Sequence, residues 1–402
     1  MSYEVKLTPS IFSSPNSLLF GCGVAKQIGK HLKRLGCTKV LLVYDKGIEA
    51  TGMAKSVAEW IEQEGLGVVH FNEVEADPPV WQAEKAGLVG REAGVDGVVG
   101  LGGGSSIDSG KAAKFLQRND PPLKDYLGRG NKKKQNLSVP LVVIPTTAGT
   151  GSECTPGGTL TDTDLGIKTN INGPAAFVDL ALLDPEMTVG LPAAITAATG
   201  MDALCHSAES YLSTLANPFC ETTGREGIRL VAQHLKKACD EPGNMEARTG
   251  MMLAATLGGM SMLGPLCCTP HDVGRSLGAK FHMPHGNACA ATLPQFFQLA
   301  APYEPEKVRY IANCFGAGLG ADASAEAIGQ AAYDLTRNLM KSIPLKRMQD
   351  YGISRNDLLA QVPDEVVMQT AGFVQVFGQA ASPMPVTKEF VSELVSRAYD
   401  EN

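Results

Sequence analysis

Short apolar runs alternate with amphipathic stretches along the first 185 or so residues. Apolar runs that are bounded by turn residues predict buried strands, and apolar positions three or four apart predict helices. The predicted strands are 40–44, 67–71, 95–101 and 141–144, the last closing the series, and the predicted helices between them include 52–64 and 80–93. Strands that alternate with helices pair in parallel under covering helices, so this part of the chain is predicted to be an α/β domain.

The pattern changes after Gly190-Leu191-Pro192, where helical periodicity replaces the short apolar runs. The predicted helices are 193–212, 218–238, 246–263, 286–300, 322–342 and 387–399. The change from short apolar runs to helical periodicity falls near 185–192, and no internal repeat is present. We therefore predict two domains, an α/β domain over 1–187 and an all-helical domain over 188–402.

Composition and charge narrow the classes of partner. The chain has 402 residues, of which 44% are hydrophobic and 19% charged, and its net charge is −7. This mild acidity argues against nucleic acid and against an anionic membrane surface as partners. The run Lys132-Lys133-Lys134 lies in a polar stretch and is interpreted as a solvated loop.

The cysteines and the first residues bear on the compartment. None of the ten cysteines forms a Cys-x-x-Cys pair, no stretch approaches 18 apolar residues, and the start, Met1 to Lys6, has no apolar signal core. These features predict a cytoplasmic protein with free thiols, each a small core residue.

Four residues suggest a metal site. Asp202 and His206 are four apart in an alanine-rich helical stretch, so their side chains share one helix face. His271 and His285 add two more ligands of the type that divalent ions accept. Three imidazoles and a carboxylate leave an ion such as Fe(II) or Zn(II) with an open position, which indicates catalysis rather than a structural role. Asp-x-x-x-His alone is a weak pattern, and a lone histidine is more often a packed core or surface residue.

A glycine turn follows the third predicted strand. Ser105 or Ser106 can cap the helix that begins there, and the backbone N–H groups of the turn can bind a pyrophosphate. The turn matches neither the Gly-x-Gly-x-x-Gly fingerprint nor a Walker loop, and a tight turn without a ligand is the alternative. The candidate cofactor residues here are Gly102, Gly103, Gly104, Ser105, Ser106 and Asp108.

A second polar turn, from Pro145 to Glu153, follows the last predicted strand and suits ribose and phosphate contacts. Its candidate residues are Thr146, Thr147, Thr150 and Ser152. Asp45 also lies at a strand end and could accept hydrogen bonds from a ribose 2′-hydroxyl. Its charge would repel a 2′-phosphate, which favours NAD over NADP. A helix N-cap or a turn acid is the alternative for Asp45, and also for Asp77.

Taken together, these motifs resemble the iron-containing (group III) alcohol dehydrogenase family over nearly the whole chain. The matching stretches are Gly102 to Asp108, Pro145 to Glu153, Gly200 to His206 and Pro284 to Gly286, in the family's order and with close to its spacing. The gap of 14 between His271 and His285 is also similar to the family's.

The resemblance implies a dinucleotide-binding α/β domain and an all-α, dehydroquinate synthase-like second domain, with the active site in the cleft between them. It implies iron, with zinc as the alternative, held by Asp202, His206, His271 and His285. It also implies NAD at the two turns and at Asp45, Asp77, Thr159 and Lys168, and a homodimer or a higher homo-oligomer. The expected activity is an NAD-linked alcohol dehydrogenase acting on a small alcohol or carbonyl compound.

The sequence departs from the family in two places. Arg275 stands where the family commonly has a second histidine, and arginine cannot cycle a proton at neutral pH. Ala381 to Pro385 replaces an Asn-Pro-Arg segment, which predicts a reshaped substrate pocket. Arg275 could clamp an acidic substrate, or it could pair with Asp272 or with a cofactor phosphate. His282 is a candidate proton-relay group, with a surface loop histidine as the alternative.

Three rival functions stay open from the residues. A glycerol-dehydrogenase-like or a dehydroquinate-synthase-like enzyme has the same general architecture. A nucleotide- and metal-binding protein without catalysis is the third possibility. The Pro145 to Thr150 stretch favours the alcohol dehydrogenases over the first two, and an open metal position argues against the third.

Overall fold

The computed structural model describes residues 16–128, 132–134 and 138–401. Within these ranges the chain forms two compact units, an α/β unit over 16–147 and 151–189 and a helical unit over 190–401 that also includes Ala148–Thr150. The Met1 to Lys6 stretch, expected to lack a signal core, lies outside the described residues. The domain limits 1–187 and 188–402 stay a prediction.

The α/β unit is built on a six-stranded parallel sheet with strand order β1-β8-β5-β4-β2-β3. Its strands are β1 (Ser17–Phe20), β2 (Lys39–Asp45), β3 (Gly67–Val74), β4 (Gly97–Gly102), β5 (Leu141–Pro145) and β8 (Leu180–Leu183). The expectation that 141–144 closes the series is wrong, because β8 follows it and pairs with both β5 and β1. Central strands such as β4 and β5 are buried at every position, which explains why they read as continuous apolar runs.

Five helices of the α/β unit accompany the sheet. They are α1 (Ile28–Arg34), α2 (Lys46–Thr51), α3 (Met53–Glu62), α4 (Val80–Ala93) and α5 (Gly104–Leu116). The predicted helix over 80–93 coincides with α4, and the predicted 52–64 differs from α3 by one or two residues at its ends. An antiparallel hairpin of β6 (Gly157–Asp162) and β7 (Ile167–Asn172) completes this unit.

The described part of the helical unit contains helices and connecting turns without strands, so the predicted fold class is confirmed. Its helices are α6 (Ala193–Leu212), α7 (Pro218–Asp240), α8 (Met245–Ser261), α9 (Thr269–Phe281), α10 (His285–Ala290), α11 (Leu293–Ala300), α12 (Pro305–Cys314), α13 (Ala325–Ser342), α14 (Arg355–Gln361), α15 (Pro363–Phe377) and α16 (Lys388–Glu401).

Prediction and structure differ in three parts of the helical unit. The single helix expected over 286–300 is two helices, because the chain breaks at Thr292 and α11 begins at Leu293, with Pro294 in its first turn. Helix α9 was missed, since Gly and Pro cluster just before it. Helices α12, α14 and α15 were missed as well.

Helix α6 is the centre of the helical unit. From Gly200 to its end every residue is buried, and it packs against α7, α8 and α10. A helix that is buried on all sides can be apolar all round, as this alanine-rich sequence is. A polar side chain on it is therefore costly unless it has a partner inside the protein.

All ten cysteines are free thiols. Seven of them are buried, but Cys22 is exposed and Cys267 and Cys314 are partly exposed, so the expectation that each is a core residue is wrong for these three. Among the described residues, no helix is both long enough and apolar enough to span a bilayer.

Candidate metal centre and nucleotide-binding turns

Three helices of the helical unit bring the predicted metal ligands together. Asp202 and His206 lie one turn apart on α6, His271 lies in the first turn of α9, and His285 is the first residue of α10. The glycine after His285 permits this approach. A Cβ on Gly286 would lie 2.1 Å from the carbonyl oxygen of Ala198 on α6, so only glycine lets α10 come this close.

The ligand atoms converge on one point. His206 Nε2 lies 3.6 Å from Asp202 Oδ1, and the Nε2 atoms of His271 and His285 each lie 3.8 Å from that same oxygen. Asp202, His206 and His271 are buried, whereas the side chain of His285 is 40% exposed. We refer to these four residues as the ligand cluster. Its partial exposure at His285 gives a small molecule access from one side.

Hydrogen bonds to the far side of two rings fix which nitrogen carries the proton. His206 Nδ1 lies 3.3 Å from the carbonyl oxygen of Gly149, and His271 Nδ1 lies 2.7 Å from Glu209 Oε1. A carbonyl only accepts, so His206 must be protonated at Nδ1, and a carboxylate at Glu209 imposes the same tautomer on His271. Both Nε2 atoms then present lone pairs toward Asp202.

The nitrogen lone pairs face the Asp202 carboxylate, so the ligand cluster is electrostatically unfavourable without a cation. Asp202 Oδ1 and His271 Nε2 are buried and have no hydrogen-bond partner among the described residues. Buried polar atoms without partners are rare and call for an explanation. Two ligand atoms at about 2.1 Å from a tetrahedral ion would be about 3.4 Å apart, close to the three distances between Asp202 Oδ1 and the ring nitrogens. The residues therefore fit a divalent metal ion.

Sequence reasoning missed Glu209, which supports the ligand cluster from α6. Its side chain is fully buried and accepts N–H groups from the backbones of Cys268 and His271 as well as from the His271 ring. Burial raises the pKa of Glu209 well above its usual value, against the opposing effect of the two backbone N–H groups. Those two backbone N–H groups can only donate, so they favour the ionised form of the carboxyl. A signal was present, since Asp202, His206 and Glu209 follow the i, i+4, i+7 spacing of one helix face.

Burial also keeps His271 neutral. Desolvation lowers the pKa of His271 well below its usual value, and the neighbouring His206, His285 and Arg275 lower it further. A neutral imidazole is the form that binds a metal, so this ring does not need to lose a proton first.

Two thiols flank the ligand cluster. Cys289 Sγ lies 3.7 Å from both ring nitrogens of His285, and Cys267 Sγ lies close to the ring nitrogens of His206 and His271. Both thiol pKa values are raised well above the usual range by burial. Sequence reasoning treated both as core residues and did not place them here.

Arg275 forms an ion pair with Asp272 on the same helix, one of the alternatives considered for it. Arg275 Nη1 lies 3.0 Å from Asp272 Oδ1, and the arginine side chain is 48% exposed. Burial raises the pKa of Asp272 to about 6, against the opposing effect of the arginine charge. Arg275 therefore presents a half-exposed guanidinium one turn beyond His271.

His282 lies at the C-cap of α9 with a left-handed backbone, φ 54°. Its side chain is exposed, and it does not join the ligand cluster. A proton-relay role for His282 stays a prediction, and the position agrees with the alternative of a surface histidine.

In the α/β unit, the glycine turn connects β4 to α5. Gly102 has φ 142°, and a Cβ there would lie 2.6 Å from Ser106 Oγ, so this position requires glycine. The N-cap of α5 is Gly103, which has no side chain to cap the helix, so the prediction that Ser105 or Ser106 caps the helix is wrong. Gly104 and Ser105 begin the helix and are partly exposed. The uncapped N–H groups at this helix start suit a phosphate.

Asp45 caps α2 next to the same turn. Its Oδ1 accepts the backbone N–H of Ile48 at 2.9 Å, as the N-cap alternative predicted. Its Oδ2 lies 3.6 Å from the Cβ position of Gly102. One carboxylate oxygen thus serves the helix, while the other faces the glycine turn.

Asp108, Ser152 and Thr159 are held together around a lysine that sequence reasoning missed. Asp108 accepts from Ser152 Oγ at 2.5 Å and from the Thr159 backbone N–H at 2.9 Å. Lys111 is fully buried and donates to Asp108, to both oxygens of Ser152 and to the Gly157 carbonyl. Burial lowers the pKa of Lys111, and Asp108 opposes that shift. Asp108 and Ser152 thus fix the turn from within, which does not by itself place them against a cofactor.

The remaining candidates lie on the second turn and the hairpin. Thr146 is buried and donates its backbone N–H to Gly102, so the two turns of the α/β unit are adjacent, while Thr147 lies 3.3 Å from the Cβ position of Gly103. Thr150 belongs to the helical unit. Lys168 on β7 forms an ion pair with Asp77 at 2.5 Å, an arrangement that sequence reasoning did not anticipate.

Comparisons with known proteins find matches to both parts of the chain. Residues 15–185 match the family described as iron-containing alcohol dehydrogenase, and residues 196–399 match the C-terminal domain of the Fe-containing alcohol dehydrogenase family. The chain is 32% identical over 363 residues to choline dehydrogenase of Bacillus subtilis (strain 168), a match that covers 90% of each chain.

Two solved structures are similar over almost the whole chain. A 1,3-propanediol oxidoreductase has a TM-score of 0.89 at 28% identity and covers 98% of this chain and 100% of its own. Sulfoacetaldehyde reductase from Bifidobacterium kashiwanohense, solved in complex with NAD+, has a TM-score of 0.84 at 26% identity with the same coverage.

Proposed function

The chain belongs to the iron-containing alcohol dehydrogenase family, and we propose that its NAD-linked dehydrogenase activity takes place at the ligand cluster. The reaction moves a hydride between an alcohol, or the corresponding aldehyde or ketone, and NAD. The observation that carries this assignment is the convergence of one carboxylate oxygen and three ring nitrogens, two of them buried without partners. When bound, the metal polarises the substrate oxygen and NAD accepts or returns the hydride.

The residues around the ligand cluster hold it ready for the ion. Glu209 fixes the His271 ring through Nδ1 and so directs Nε2 toward Asp202. The Gly149 carbonyl does the same for His206. Partners of this kind preserve the ligand tautomer and raise its basicity. Fixed rings also need no reorganisation when a substrate binds, which favours catalysis.

We propose that NAD binds the α/β unit at the two turns that Gly102 and Thr146 bring together. The N-terminus of α5 would bind the pyrophosphate, and Asp45 would accept hydrogen bonds from the adenosine ribose. Because Gly102 has no side chain, the backbone of this turn packs closely against Ser106, and a phosphate can approach that backbone. Asp77 and Lys168, already paired with each other, would face the ribose as a unit.

Arg275 supports a second, narrower proposal, that the substrate is acidic. Its guanidinium is half exposed, and Arg275 lies one helical turn from His271 on α9. The sulfoacetaldehyde reductase named above acts on an anionic aldehyde, whereas a choline dehydrogenase acts on a cation. The ion pair with Asp272 reduces the net charge here, so a neutral polar alcohol is the alternative.

Anaerobic purification with metal analysis, followed by an NAD(H)-coupled assay over neutral, cationic and acidic alcohols, tests these proposals. We expect turnover that disappears on chelation and returns with Fe(II) or Zn(II). If the Arg275 guanidinium binds the charged group of the substrate, kcat/KM should be higher for acidic alcohols than for neutral or cationic ones. Metal and NAD binding without turnover on any alcohol or aldehyde would instead favour the non-catalytic alternative. Metal-dependent consumption of a cyclitol precursor without net NADH would favour the dehydroquinate-synthase-like alternative.

We also propose that the protein works in the cytoplasm as a homodimer or a higher homo-oligomer. The ten unpaired thiols suit a reducing compartment. Light scattering on the purified protein, with a single mass at a whole multiple of the chain mass, tests the oligomer.

A further inference from the structure

A cavity of about 120 Å³ lies within the helical unit, away from the residues of the ligand cluster. It is formed by α10, by the last turns of α13 and by the segment that follows α13. By this measure a water molecule needs about 10–15 Å³, so the cavity has room for a group of several non-hydrogen atoms.

Four cationic side chains and no acidic one line this cavity: Arg337, Lys341, Lys346 and Arg347. This concentration of one sign contrasts with the chain as a whole, whose net charge is −7. Among the described residues, only Arg347 of these four has a carboxylate within ion-pair distance, Asp350 at 3.5 Å. A concave site lined by one sign of charge concentrates ions of the opposite sign.

Arg337 is a second observation, independent of the charge of the lining, that points to a ligand in the cavity. Its Nε is buried and has no hydrogen-bond partner among the described residues. Its guanidinium carbon lies 5.8 Å from the ring centre of Tyr333, a stacking contact that leaves the edge of the fork available for hydrogen bonds. A buried N–H of arginine without an acceptor is costly, so the guanidinium gains from an anion that its terminal N–H groups can reach.

Apart from Asn287, the rest of the lining is apolar. Met340, Ile343, Leu345 and Met348 form this part of the wall, and Ile343 and Met348 are buried. A fully hydrated inorganic ion gains nothing from such a surface. A small carbon skeleton would bury its apolar surface there while its charged end meets the cationic side chains.

We propose that this cavity binds a small organic anion, a carboxylate or a phosphate ester with a short carbon chain, at a site separate from the catalytic one. The fork of Arg337 binds the anionic oxygens, Lys341 and Lys346 add charge at the mouth, and the apolar wall holds the carbon chain.

The position of the cavity connects it to the catalytic helix α10. Asn287 lines the cavity, and its Nδ2 donates to the Lys346 carbonyl at 3.1 Å. Asn287 is only two residues beyond His285 on the same short helix. A ligand that shifts Lys346 therefore acts on the helix that carries a metal ligand, and coupling of this kind is reciprocal.

Titration calorimetry on the full-length, NAD-saturated protein tests the site, because NAD occupies the other phosphate-binding turns. Butyrate and propyl phosphate are the probes, with chloride at equal ionic strength as the reference. We expect saturable binding of at least one probe at one per chain. The stronger of the two identifies carboxylate or phosphate as the preferred group.

The double variant Arg337→Gln/Lys341→Gln should weaken binding at least tenfold. If it folds poorly, Lys341→Gln/Lys346→Gln replaces only exposed side chains and should weaken binding severalfold. The matched control is Lys236→Gln/Lys237→Gln, which removes the same charge from two lysines of α7 that form surface ion pairs with Asp240 and Glu246. Absence of saturable binding, unchanged affinity in the cavity variants, or an equal loss in the control would each overturn the proposal.

Discussion

The variant Glu209→Gln probes how the ligand cluster is held. Glu209 accepts three N–H groups at 2.7, 2.8 and 3.2 Å, from the His271 ring, the Cys268 backbone and the His271 backbone. Glutamine has almost the same shape but only one accepting oxygen. Whichever way its amide is turned, its NH₂ group faces at least one of these N–H donors, and the negative charge is lost.

The expected effect follows from these contacts. Loss of a carboxylate that orients a metal-binding histidine typically weakens metal affinity about 10- to 100-fold, or about 1.4–2.8 kcal/mol. The His271 ring can also adopt the other tautomer, with the proton on Nε2, which blocks its ligand nitrogen. We therefore expect at least a tenfold rise in the metal dissociation constant.

The assay is competition between the apoprotein and a chromophoric chelator for Zn(II), under anaerobic conditions at pH 7. Glu221→Gln is the matched control, because Glu221 is a partly buried glutamate that pairs with Lys307 on the surface of the same unit. Thermal unfolding of each apoprotein separates loss of folding from loss of metal. An affinity within twofold of wild type in a folded Glu209→Gln protein would refute the reasoning.

Three further substitutions test the other sites. Gly102→Ala places a methyl group 2.6 Å from Ser106 Oγ on a left-handed backbone, so the KM for NAD should rise at least tenfold, and an unchanged KM would contradict the assigned turn. Asp45→Asn keeps an N-cap but removes the charge. The preference for NAD over NADP, measured as a ratio of kcat/KM, should therefore fall about tenfold, and a constant ratio would contradict a contact between Asp45 and the ribose. Arg275→Ala should lower kcat/KM for an acidic substrate about tenfold more than for a neutral alcohol, and an equal loss on both would leave Arg275 as the partner of Asp272 only.

The sequence predicted the elements whose periodicity is regular. Helix α4 and helix α6 have the bounds read from their patterns, because long periodic segments bury one continuous face or the whole helix. Helix α9 was missed because Gly264, Pro265 and Pro270 surround its start and mask the pattern. Strand β8 has only four residues and follows a hairpin, so the sequence alone did not distinguish it from a loop.

The ligand cluster was predictable because its ligand types and spacings are specific as a set. Glu209 and Lys111 were not found, since a lone Glu or Lys in a helix usually faces solvent. Only the fold shows that both are fully buried and each is surrounded by several partners. Ser106 was expected to cap α5, but the helix begins earlier, at the glycines. Backbone geometry of this kind depends on packing between strand and helix, which no local pattern encodes.

The most direct test of the account is X-ray diffraction from anaerobically grown crystals of the iron-loaded protein, with data collected on both sides of the iron absorption edge. The account predicts one strong anomalous peak within bonding distance of Asp202, His206, His271 and His285. An anomalous peak elsewhere, or those four side chains turned away from the ion, would contradict it.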